Sequence, residues 1–194
     1  GSPQLPSQDS KAAKRLASYS VKNMIYSMVA VLGLALAWWA LMPNPETLER
    51  RPVEVAPVAT YAASQSQFPV WTPEPFLGEE WTANFASYER FAGGVVTWRV
   101  GVVTPGEEYV EISQAADATD EWLGALTEKA GEEVGTRTST GPDGPQDWTA
   151  HEAQERAVVL GPGEGREGTT VVRGTASWEE IEEFIGLLEV ADAG

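Results

Sequence analysis

From Met24 to Met42 the chain runs nineteen residues, MIYSMVAVLGLALAWWALM, without a formal charge, and this stretch constrains all the rest. A helix rising about 1.5 Å per residue would carry it roughly 28 Å, close to the hydrocarbon thickness of a bilayer. A soluble core helix would have a polar face, whereas Tyr26, Ser27 and Gly33 are the only breaks in this apolar surface. A cleaved signal peptide has a shorter apolar region, about 7 to 15 residues, closed by a small-x-small site. Here the run ends in Trp38, Trp39, Ala40, Leu41 and Met42, and a cut after Ala40 would put Trp38 where a small side chain is needed. The sequence therefore predicts a retained transmembrane helix over 23–43 behind a tail over 1–22, whose first ten residues read as flexible.

Lys11, Lys14, Arg15 and Lys22 precede the span, while Arg50 and Arg51 follow it among Glu46 and Glu49. Cationic flanks stay inside, so the expected topology is single-pass in the cell membrane, N-terminus cytoplasmic and C-terminal domain extracytoplasmic. Trp38 and Trp39 then reach the outer interface. There an indole keeps its ring in the apolar edge and its N–H near water, so lipid anchoring is their ordinary role and a protein contact the sharper one.

The charge is lopsided. Residues 1–45 hold four cations against Asp9, which leaves −19 for the remaining residues of a chain whose formal charge is −16. Such a domain repels phosphate backbones, which argues against nucleic acid, and attracts cationic protein surfaces. The plainer reading of the acidity is solubility. Cysteine is missing, so disulfides, thiolate metal sites, thiol nucleophiles and cysteine lipidation are all excluded.

After the span, PNPETLERRPVEVAPV is rich in proline and reads as an extracytoplasmic stalk over 44–67, with a short helix at Tyr61–Gln67. An α+β domain is expected over 68–190, with a tail over 191–194. Prolines 69, 73 and 75 surround Phe68, Trp71 and Phe76, which suits an irregular segment packing aromatic rings on the domain, or a proline-aromatic strip facing a partner. Period-two alternation then marks strands at Trp81–Ala86, in VVTWRVGVVTP (95–105) and in EYVEISQA (108–115), with Pro105-Gly106 as a turn. Asp120–Ala130 has helical spacing, with Trp122, Leu123 and Leu126 on one stripe and Gly131 at its end. A polar Gly-rich stretch with a tight turn at 142–145 follows, and further strands surround Trp148, Ala157–Leu160 and Thr170–Val172. Ser177 and Glu180 form a capping box before a helix whose buried stripe is Ile181, Phe184, Ile185 and Leu188. This order predicts two similar halves, an antiparallel sheet with two helices on one face.

No reaction chemistry assembles from this order. His151 is the only histidine, so a multi-histidine metal site cannot form, and it sits in a polar strand-like segment without a Gly-x-Ser-x-Gly turn. GPGEGREG lacks the Lys-Ser/Thr of a phosphate loop and precedes a strand, which reads as a hairpin turn. Glu107-Glu108 and Glu132-Glu133 point to opposite faces if in strands, and Asp143, Gly144 and Asp147 lack calcium-loop spacing. Trp71 and Trp148 could stack on a sugar or peptide, although core packing is the commoner fate of such rings. The expectation is no enzyme, no cofactor and no metal.

The arrangement of one span, RRPVEVAPVATYAAS, TWRVGVVTP, YVEISQA, a Gly-rich turn before DW, and VVRGTASWEEIEEF resembles an actinobacterial family known as a domain of unknown function, over about residues 20–190. The resemblance implies a membrane-anchored, outward-facing protein with no assigned reaction. The strand and helix order is also similar to the small α+β fold of the nuclear transport factor Mog1p and the photosystem protein PsbP. From these readings the expected function is an accessory subunit of a larger membrane complex, such as an actinobacterial respiratory supercomplex, whose partners are lipids and an integral membrane complex. The contact residues would be Gly33, Ala37, Trp38, Trp39, Trp71 and Phe76, with Ala35 as another small position in the span. The alternative is an extracytoplasmic module binding a lipid, glycan or cell-wall fragment.

Overall fold

The computed structural model describes residues 6–41, 53–163 and 165–194. The chain divides into two units, Gly1–Arg51 and Pro52–Gly194. The first is α1, Pro6–Leu41, so helix also covers residues 6–10 of the ten read as flexible. Its last 24 residues, Ser18–Leu41, form a helix long and apolar enough to cross a membrane, and each of them is exposed. Of the expected stalk, residues 44–52 lie outside the described residues.

The second unit begins earlier than the prolines suggested. Helix α2, Val55–Gln65, buries Val55, Ala59 and Ala62, spaced i, i+4, i+7, against the sheet. Pro57 sits in the first turn, where its missing N–H would have no helical acceptor in any case. Residues 55–67 therefore belong to the domain and not to a stalk.

Seven antiparallel strands follow: β2 (Thr82–Phe91), β3 (Val95–Val103), β4 (Tyr109–Ala115), β5 (Glu133–Gly141), β6 (Gly144–Glu152), β7 (Arg156–Leu160) and β8 (Thr169–Gly174). Their order in the sheet is β2-β3-β4-β8-β7-β6-β5. Register follows the hydrophobic alternation. Val100 pairs with Ile112, Ile112 with Val172 and Val172 with Val158, so one apolar row crosses four strands on the first face. The next row, Gly101, Glu111, Arg173 and Ala157, faces the opposite side.

The first face is covered by α2, by residues 66–81 including the short strand β1 (Trp71–Thr72), and by α4 (Trp178–Leu187). Strand β9, Glu189–Val190, closes this layer by pairing with β1. Trp98 and Trp148 are fully buried here, and Trp98 Nε1 donates to Trp71 O at 2.8 Å, which satisfies its one polar atom. Helix α3, Asp120–Thr127, lies on the second face, where Trp122 and Leu126 pack with Val95, Ala115 and Val171. The two helices read from the sequence thus lie on opposite faces of the sheet. Apolar residues at both Val171 and Val172 already require cover on both sides.

Two other expectations differ from the structure. The polar stretch before the 142–145 turn is the edge strand β5, whose threonines face solvent. The capping box is half formed: Ser177 Oγ accepts from Glu180 N at 3.2 Å, but the Glu180 carboxylate accepts from Gly106 N at 3.3 Å and so ties the Pro105-Gly106 turn to α4.

Candidate functional site

A cleft of about 300 Å³ opens at the end of the sheet where β4 finishes and β8 begins. Its floor is Gln114 and Thr170, cross-strand partners only 3% and 4% exposed. Burying an amide among aromatic rings is costly unless each polar atom finds a partner. Gln114 Oε1 accepts from Trp71 N at 2.8 Å, and its Nε2 donates to Thr170 Oγ1 at 3.2 Å and to Pro69 O at 3.3 Å. Gln114 therefore holds the 69–71 segment in place as one wall. The other walls come from the β5–β6 turn (Pro142, Asp143, with Gln146 beyond) and the loop before β8 (Gly165–Glu167, with Thr169). Arg166 joins those two walls: its Nη1 donates to Asp143 Oδ2 at 3.0 Å and its Nε to Gly161 O at 3.0 Å. The glycine-rich loop is thus held by an ion pair across the cleft mouth.

A wider, shallower depression of about 470 Å³ lies near Tyr88, Val96 and Asp117, rimmed by exposed Gln65, Gln67 and Arg90. It lacks a comparable buried polar floor.

The second face carries a charged cluster. Glu111, 1% exposed, accepts from Arg99 Nε at 2.7 Å, Arg173 Nη2 at 2.9 Å, Tyr109 Oη at 3.0 Å and Ser113 Oγ at 3.3 Å. Arg173 Nη1 also reaches Glu155 at 3.1 Å. The Arg99 guanidinium stands over Phe91, 4.1 Å from the ring centroid, with Phe85 at 5.3 Å. Gly101 leaves the room for this layer, since a Cβ there would come within 2.5 Å of the Phe85 ring and 2.6 Å of Tyr109 Oη. Burial first, and then the Glu111 carboxylate, hold the Tyr109 phenol well above its ordinary pKa of about 10. Every acceptor of Glu111 is thereby engaged within the domain, so the cluster works as a clamp across β3, β4 and β8.

The residues singled out from the sequence fall into three places. Gly33, Ala37, Trp38 and Trp39 are exposed on α1. Gly33 and Ala37, four residues apart, share a face; Ala35, two residues from each, lies about 200° around the helix and does not. Trp71 is 3% exposed and packs on Trp148 at 6.2 Å, and Phe76 is half-buried, edge-on to Trp81 and Phe184 at 5.5 and 5.9 Å. Neither ring is displayed as an outward strip; Trp71 instead contributes to the cleft wall. His151 is half-buried on β6 with Nδ1 2.9 Å from Gly131 O, away from the cleft lining. Among the described residues no group of histidine and carboxylates is placed to hold a metal ion. Sequence reasoning missed Gln114, Thr170 and Arg166. A signal for Gln114 was present, because alternation in YVEISQA puts it on the core face with Val110 and Ile112.

These features define a mixed α+β domain with a polar-floored cleft, carried behind an N-terminal helix of membrane-crossing length. The chain belongs to the family described as protein of unknown function (DUF4245), whose model matches residues 17–188. No curated protein and no solved structure matches the chain.

Proposed function

We propose that this chain is a noncatalytic, single-pass protein of the cell membrane, an accessory subunit that docks through α1 beside a larger complex such as an actinobacterial respiratory supercomplex. Its N-terminus is cytoplasmic and its acidic domain lies outside. The observation that carries this reading is the surface of the span. Ser18–Leu41 is a helix long and apolar enough to cross a membrane, and it sets Gly33 and Ala37, four residues apart, on one face. Lipid tails are as apolar as leucine, so helices associate in a bilayer through close backbone approach at small residues and not through hydrophobic drive. Gly33 and Ala37 supply such a face, and Trp38 and Trp39 set its depth at the interface. Solubilising native membranes in a mild detergent tests this. Co-migration with a larger complex is expected, and recovery of the chain solely as a free monomer would contradict it.

A second reading has its own observation. The cleft above the Gln114–Thr170 floor favours an extracytoplasmic binding module for a lipid, glycan or cell-wall fragment, since ligand sites are concave, mainly apolar and set with a few fixed polar groups. The two readings are compatible, because one uses the span and the other the domain.

A further inference from the structure

We infer that this cleft binds a neutral polyhydroxylated ligand, one or two sugar rings; the assignment rests on the ligand-module reading. Charge decides first. Arg166 is engaged by Asp143 and by Gly161 O, which leaves Glu167 as the one lining charge without an ion-pair partner among the described residues. An anionic ligand would meet that carboxylate in a domain already strongly negative, with the guanidinium already paired.

The lining also offers hydrogen bonds of both senses. Thr170 Oγ1 accepts from Gln114 Nε2, so its own proton is left to donate. The side chains of Gln146 and Thr169 make no hydrogen bond among the described residues, and both line the cleft, half-buried. A hydroxyl is donor and acceptor at once, and a sugar ring sets several of them at fixed spacing around a C–H face. Phe68, Trp71 and Pro142 provide the apolar surface for such a face.

The competing classes fit less well. An acyl chain would bury Gln146 and Thr169 without partners, at a desolvation cost for each. An extended peptide binds by adding a strand to a sheet edge, but β4 and β8 are interior strands already paired with each other. The volume, about 300 Å³, stands at the lower end of ligand sites and limits the guest to one or two rings.

The test uses the full chain in lipid nanodiscs free of glycosidic detergent, which would itself present a sugar. The Trp71 indole and the Gln114 and Gln146 side-chain amides are followed by NMR while maltose, trehalose, cellobiose and chitobiose are titrated in turn. Palmitate and a blocked trialanine peptide serve as probes of the other classes. At least one disaccharide is expected to shift the Trp71 and Gln146 signals. Gln146→Ala combined with Thr169→Val should weaken that disaccharide about tenfold, as expected for one or two lost hydrogen bonds, with an otherwise native spectrum. Thr136→Ala, on the exposed edge strand, should leave binding unchanged. Shifts at these signals from palmitate or the peptide, but from no sugar, overturn the polyol assignment and leave the module reading standing. Silence with every probe overturns both, and binding that ignores Gln146 and Thr169 overturns the site.

Discussion

Replacing Glu111 with glutamine preserves the shape of a side chain that is 1% exposed while removing the charge on which two arginines converge. The carboxylate accepts four hydrogen bonds, two at each oxygen. In Glu111→Gln one oxygen becomes an NH₂ group that cannot accept, so a guanidinium and a hydroxyl face a donor instead. Removing one partner of a buried ion pair costs about 3 to 5 kcal/mol, much of it the penalty of leaving the other charge unpaired. Arg99 and Arg173 are 21% and 17% exposed, so water recovers part of that loss and the expected cost falls near the low end, about 3 kcal/mol. This is roughly a hundredfold in the unfolding equilibrium. With a urea dependence of about 2 kcal/mol per molar, the midpoint should drop by about 1.5 M. Urea unfolding of the full chain in nanodiscs, followed by tryptophan fluorescence, reads the shift. An unchanged midpoint for Glu111→Gln would refute the clamp.

Three further perturbations follow from the same geometry. Tyr109 has a folded pKa above its unfolded one, so the stability it contributes is fully present below about pH 10 and is lost as pH rises beyond it. Stability melts across the alkaline range should therefore fall less for Tyr109→Phe than for the native chain, and parallel curves would count against the assignment. Gly101→Ala should lower the melting temperature by several degrees, since the new methyl meets the Phe85 ring and Tyr109 Oη; a neutral result by calorimetry would mean that this layer is loosely packed. Ala62→Glu places a carboxylate at a position with no exposure and should destabilise the domain by about 3 kcal/mol or more. If 55–67 were a free stalk, the same substitution would leave the urea midpoint in place.

The sequence was legible where a single periodicity dominated. The uncharged run, as far as Leu41, lies in α1, where length and apolarity alone mark the helix, while the alternation in 95–105 and 108–115 and the helical stripe at 181–188 became β3, β4 and α4 because burial of one face selects one conformation. Strand β5 was missed because an edge strand needs little apolar surface. Thr136, Thr138 and Thr140 face water, and only Ser139 is buried. Helix α2 shows in the sequence only from Tyr61 onward because Pro57 breaks the helical pattern, although proline in a first turn removes no helical hydrogen bond. The cleft draws its walls from segments near residues 70, 143 and 166, and no local pattern reports that convergence. Gln114 was the exception: a polar residue in line with Val110 and Ile112 on the core face marks a place where something other than packing is served.

The span as an attachment is tested most directly by site-specific cross-linking in native membranes. Because the chain has no cysteine, Ala37→Cys and Ala35→Cys each create a unique thiol, one on the Gly33 face and the other about 200° around the helix. Each can carry the same short photoreactive group. A docking face through Gly33 and Ala37 should give a discrete cross-linked protein partner from position 37 and chiefly lipid from position 35. Lipid adducts alone from both positions, or the same partner captured equally from each, would contradict a docking face on the span.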